Sequence, residues 1–204
     1  MRDVLQTLIE RGGPIMWPLF GCSLVSLTIT IERLLFWLRQ KQAYSSKRVE
    51  RILEFADARD YEGAASVDGM GRDAVSGMLA AGLKHREHGL SEAMQVEAGS
   101  RIDAMKQGLS VLDTIVTMAP LLGILGTVLG IIASFELLGA SGIEDPKAVT
   151  GGIAQALITT ATGLAVAIVS LIPLNTFVAR TQRETRRLEQ IATQFEVACR
   201  RNGG

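Results

Sequence analysis

Charged residues are missing from three long blocks of this chain and crowd the segments between them. The first block, Gly12 to Ile31, has 20 residues; the second, Thr114 to Phe135, has 22; the third, Ala148 to Ala179, has 32. A bilayer core of about 30 Å is crossed by about 20 helical residues, so each block predicts a membrane-spanning helix. At about 1.5 Å per residue the third would reach about 48 Å, so part of it projects beyond the lipid or runs tilted. The competing reading, buried helices of a large soluble protein, fails because the rest of the chain offers no soluble core to cover three of them.

The intervening segments are polar and carry helical periodicity. Residues 45–59 place Val49, Ile52, Leu53 and Ala56 on one face, and residues 72–87 form a second candidate, with Gly69 and Gly71 as the break between. Ser91 reads as an N-cap with Glu92 in the first turn. No proline follows until Pro120, so one helix is expected to run from Ser91 into the second span. The tail from Arg180 extends the third span as an amphipathic helix with Leu188, Ile191 and Phe195 on its apolar face. The stretch GASGIEDPKAVT (139–150) reads as a short turn.

Lys and Arg orient the spans. Twelve lie between Arg33 and Ser110 and six follow Ala179, whereas Gly139–Gly152 holds only Lys147 and the N-terminal segment only Arg2 and Arg11. The positive-inside rule places the middle segment and the tail in the cytoplasm, and the N-terminus and second loop outside.

Composition sharpens this picture. The chain is 48% hydrophobic but only 5% aromatic, so its apolar mass is small and aliphatic, which suits helices packing closely in lipid. Charges balance at 21 each and no basic stripe is interleaved with aromatics, so nucleic acid is not an expected partner. Cys22 sits in an apolar block and Cys199 in the polar tail, so both read as free thiols. Arg2, Asp3, Glu10 and Arg11 precede a block too long for a signal-peptide core, so no cleavable leader is read there.

Soluble catalytic motifs are missing. There is no P-loop, and Gly123, Gly126 and Gly130 are not spaced as a dinucleotide fingerprint. His85 and His88 share one helical turn without a third ligand nearby and read as solvated surface; no metal, cofactor or enzymatic activity is expected. The second span has two faces. Ala119, Gly123, Gly126, Thr127, Gly130 and Ser134 cluster on one; Leu121, Leu125, Val128, Leu129, Ile132 and Phe135 on the other. The small face either packs against a helix or lines a narrow channel, and the pattern leaves both open. Pro120 is expected to bend this helix. On the third span Gln155, Thr159, Thr162 and Ser170 share a face with Pro173, and Ala156, Thr160, Gly163 and Ala167 share another. Those hydroxyls either bond back to carbonyls one turn earlier or face water in a pore. No Asp, Glu, His, Lys or Arg lies mid-span; Glu32 and Arg33 close the first span, and Asp113 and Glu136 bound the second. A proton carrier needs a titratable group at depth, which this chain does not supply.

The segments APLLGILGTVLGIIASF (119–135) and GGIAQALITTATGLAVAI (151–168), with the Glu32–Arg33 pair, resemble the ExbB/TolQ/MotA proton-channel family over essentially the whole chain; three spans favour its ExbB/TolQ branch. The resemblance implies an all-α membrane protein with long cytoplasmic helical extensions, assembled as a homopentameric ring lined by the second and third spans. It implies two copies of a single-span ExbD- or TolR-type partner bearing a membrane Asp, motion relayed to a TonB- or TolA-like protein, and residence in the bacterial inner membrane. By motif the family's pore threonines match Thr127 and Thr160, with Thr159 adjacent, and its proline matches Pro120. Where the family often has Glu in an EAL triplet this chain has Gln155, which cannot carry a proton and shifts that role to the partner. The expected division is a periplasmic segment 1–11, spans 12–38, 111–138 and 151–179, a cytoplasmic segment 39–110, a periplasmic loop 139–150 and a cytoplasmic helix 180–204. Two rival readings are a scaffold that grips partner helices without conducting, and a small-solute transporter or membrane enzyme, which would need polar groups near the midplane and commonly shows an internal repeat that these unequal spans lack.

Overall fold

The computed structural model describes residues 13–67, 69–141 and 146–201. The described residues are helical with no strands. They form α1 (Met16–Ala43), α2 (Ser46–Asp57), α3 (Tyr61–Ser66), α4 (Ala74–Lys84), α5 (Leu90–Lys106), α6 (Leu109–Ser141) and α7 (Pro146–Arg201). Three helical stretches are long and apolar enough to cross a membrane, one from each uncharged block. The described residues group into two compact units: those within 13–32 and 108–176, and those within 33–107 and 177–201.

The first unit holds the apolar parts of α1, α6 and α7. Met16, Leu19, Ala119 and Ala167 form its buried cluster, with Ile15, Leu122 and Val166 against it. Ser26 of α1 and Ser170 of α7 share a hydrogen bond of 2.6 Å, and the Ser170 hydroxyl also reaches the Val166 carbonyl at 2.8 Å. Each hydroxyl is thereby satisfied by protein partners within an apolar helix.

The second unit gathers the polar ends of α1 and α7 with α2 to α5. Val49, Ile52 and Ala56 are buried on α2, and Leu188, Ile191 and Phe195 on α7, along the two apolar faces that periodicity predicts; Leu53, expected on the α2 face, is only half-buried. Gly82 of α4 lies against Met94 of α5 and Phe195 of α7. Asp73 caps α4 by accepting from the Ser76 N–H at 3.0 Å, and also accepts from Arg48 at 2.7 Å. Arg33, 2% exposed, donates to the Ala104 carbonyl at 2.7 Å. That carbonyl belongs to the last turn of α5, where four carbonyls lack helical donors and a cation is favoured.

Four expectations change. The helix expected to run unbroken from Ser91 into the second span is interrupted at Gln107–Gly108, where Gly108 has φ +76. A left-handed residue ends a helix, and glycine adopts that conformation without a Cβ penalty. The N-cap of α5 is Gly89, not Ser91. The short α3, capped by Asp60 accepting from the Gly63 N–H, has no counterpart in the sequence reading. The turn expected over 139–150 is shorter, because α6 continues to Ser141 and α7 begins at Pro146, a residue suited to the first helical position. The expected segment 1–11 lies outside the described residues.

Candidate functional site

The site is a seam between α6 and α7 made from residues too small to hold the helices apart. A Cβ built on Gly163 would stand 2.5 Å from the Ala119 carbonyl oxygen and 3.0 Å from the Gly123 Cα. One on Gly123 would stand 3.1 Å from the Thr160 Cα, and one on Gly130 would stand 3.0 Å from the Ala156 Cβ. Gly126 receives the Thr159 side chain, and Gly152 receives Ser134. Backbones this close rest on dispersion and hydrogen bonding, the forces left to helix pairs in lipid.

Hydroxyls line the seam at one level. The Gly123 carbonyl accepts from Thr127 Oγ1 of its own helix at 3.0 Å and from Thr160 Oγ1 of the opposite helix at 2.9 Å. The two hydroxyls are also within hydrogen-bond reach of each other, so at any instant one donates to the carbonyl and the other donates either to that carbonyl or to its neighbour hydroxyl. Both threonines are half-buried, so this node lies at the margin of the seam. Thr159 is enclosed, 1% exposed, and donates to the Gln155 carbonyl at 2.9 Å. Thr162 bonds back to Ile158 at 2.8 Å, and the half-buried Gln155 side chain lies against Gly13. Pro120 and Pro173 stand inside their helices and remove the N–H groups that would bond the carbonyls four residues earlier.

The structure therefore brings Thr127 and Thr160 together across the seam and puts Gly123, Gly126, Gly130 and Gly163 in its packed floor. Thr159 sits among the glycines, and Thr162, Gln155 and Pro173 lie away from the hydroxyl node. A threonine hydroxyl donates and accepts but does not titrate near neutral pH, so the node can order water or a proton in transit and cannot store one. The bulky face of α6 is outward: Leu121, Leu125, Val128, Leu129, Ile132 and Phe135 are all more than 40% exposed. Among the described residues no group of three His, Cys, Asp or Glu gathers to hold a metal.

Three long apolar helices, two of them joined by a glycine and threonine seam and none carrying Asp, Glu, His, Lys or Arg within its uncharged block, define a multi-pass membrane protein. Residues 71–190 match the MotA/TolQ/ExbB proton channel family, and the chain belongs to that family, on its ExbB/TolQ branch. It is 31% identical over 93% of its length to an ExbB-like biopolymer transport protein of a Synechocystis species, covering 92% of that protein. It is 30% identical over 81% of its length to the biopolymer transport protein exbB1 of Vibrio cholerae, covering 75% of it. It is 34% identical over 55% of its length to the Tol-Pal system protein TolQ of Pseudomonas aeruginosa, covering 49% of it.

Proposed function

We propose that this chain is the channel-side, ring-forming subunit of a motor driven by the proton-motive force in the bacterial inner membrane. Five copies surround a pore, with the N-terminus periplasmic and the C-terminus cytoplasmic. A single-span partner of the ExbD or TolR type stands in the pore, brings the carboxylate that carries the proton, and passes its motion to a TonB- or TolA-like protein. The observation that carries this reading is the Thr127–Thr160 node on the Gly123 carbonyl. It presents two half-buried hydroxyls at the margin of the glycine-rich seam, at the residues matching the family's pore threonines.

The absence of charge in the spans fits a division of labour. Moving one charge across 100 mV releases about 2.3 kcal/mol, enough to bias one step of a moving partner. A fixed wall of small side chains keeps the barriers between steps low, and Gln155 cannot trap the proton. The exposed bulky face of α6 supports an assembly, since neighbouring copies, a partner helix or lipid must cover it. The same lack of a mid-span carboxylate favours a second reading, a non-conducting scaffold for partner helices.

Thr127→Val with Thr160→Val keeps the side-chain shape and removes both hydroxyls. In proteoliposomes holding the chain and its partner, the double variant is expected to lose at least about tenfold in partner-dependent proton flux, equivalent to about 1.4 kcal/mol on the barrier. Unchanged flux contradicts the hydroxyl path, and no flux from the unmodified complex favours the scaffold.

A further inference from the structure

The second unit contains a cavity of about 400 Å³ that the motor reading does not use. That volume is within the range of small-molecule sites. Its wall draws on the polar end of α1, the start of α4 and the first turns of α7 past the apolar block, and it carries four cations against two carboxylates. Both carboxylates are engaged. Asp73 takes the Arg48 guanidinium at 2.7 Å and the Ser76 amide and hydroxyl. Glu184 lies 3.8 Å from Arg187, which itself stacks 3.6 Å above the Tyr44 ring. Lys41, Arg180 and Arg183 remain on the wall with no carboxylate in ion-pair reach among the described residues. Trp37 completes the wall. It is 6% exposed, and its indole N–H is buried with no acceptor among the described residues.

We propose that this cavity binds a phosphate-bearing anion through Lys41, Arg180 and Arg183. Two guanidinium forks and an ammonium present many N–H donors and no acceptor, which matches the oxygens of a phosphate ester. Position favours the headgroup of an acidic phospholipid as the source. Arg180 follows Ala179, the last residue of the third uncharged block, and Trp37 is six residues, about 9 Å of helix, past Ile31. Both stand where the cytoplasmic leaflet places its phosphates, where tryptophan is enriched and where basic pockets beside spans take anionic headgroups. The inference rests on the orientation proposed above and not on conduction. A protein that binds the anion and passes no protons keeps this inference and loses the motor.

The test uses detergent-purified full chain carrying Trp17→Phe, which leaves Trp37 as the remaining tryptophan. Short-chain phosphatidylglycerol, short-chain phosphatidylcholine and inorganic phosphate are titrated at constant ionic strength, with Trp37 fluorescence and melting temperature as readouts. Phosphatidylglycerol is expected to give a saturable fluorescence change and a raised Tm, and phosphatidylcholine, whose ammonium cancels the charge, neither. Arg180→Gln with Arg183→Gln, at two exposed positions, is expected to weaken phosphatidylglycerol at least about tenfold with the ligand-free Tm unchanged. Saturation by inorganic phosphate as tight as by the lipid supports the site and makes its source soluble. Equal responses to the two lipids, an undiminished response in the double variant, or no saturable response to either anion overturns it. Lys41→Gln carries the same comparison if the double variant does not fold.

Discussion

Arg33 is a large cation with almost no exposure. Sequence marks it as half of a charged pair closing the first span, yet it is buried and bonded to the Ala104 carbonyl, so it acts as a C-terminal cap for α5. Arg33→Met keeps the aliphatic bulk and abandons that carbonyl. It is expected to lower stability by about 1–3 kcal/mol, read as a drop in the thermal midpoint in detergent. Cys199 makes a second prediction. Burial pushes its thiol up, the Tyr61 hydrogen bond opposes this, and the Asp57 charge adds to the rise. Its raised folded value means that its contribution to stability is complete below the unfolded thiol value and is lost as pH rises through the folded one. In a Cys22→Ala background, the iodoacetamide reaction of Cys199 is expected to climb at a higher pH than that of the same chain in denaturant. Identical profiles would refute the shift. Residue chemistry of this kind was poorly legible from sequence, because burial of Arg33 and the neighbours of Cys199 depend on helices far apart in the chain.

Helices were much more legible than their ends. Long uncharged blocks leave a bilayer as the only solvent that suits them, so the three spans followed from the chain alone. The division of α6 into a small and a bulky face also followed, and the structure resolves which partner the small face meets: it packs on α7. Breaks were harder. Gly108 sits in a run with no proline, where a single glycine is tolerated inside a helix, and the Ile29 side chain, 3.0 Å from where a Cβ on it would stand, is far away in sequence. Asp60 and Asp73 cap their helices without the Glu or Gln that marks a capping box in sequence. The seam yields a prediction at this scale. Gly163→Ala, whose Cβ would meet backbone, is expected to cost about 1–3 kcal/mol by prying α6 from α7. Gly99→Ala, with nothing within 4 Å, is expected to stabilise by up to about 1 kcal/mol through helix propensity. Equal effects of the two substitutions in thermal unfolding would remove the case for close backbone packing.

At the scale of the whole molecule, net charge conceals organisation. Twenty-one positive and 21 negative charges cancel, yet Lys41, Arg180 and Arg183 collect around one cavity, because α1 and α7 bring together residues some 140 positions apart. That gathering was invisible in composition. The apolar surface left on α6 and α7 is large: Leu157, Leu164, Ile168, Val169 and Ile172 of α7 are exposed with the bulky face of α6. A ring of copies around partner helices is the proposal that gives these surfaces a use beyond contact with lipid. The most direct measurement is the native mass of the detergent-purified protein, alone and co-expressed with its single-span partner. Five copies are expected alone, and five copies plus two partner chains in the complex. A monomer or dimer whose mass ignores the partner would contradict it.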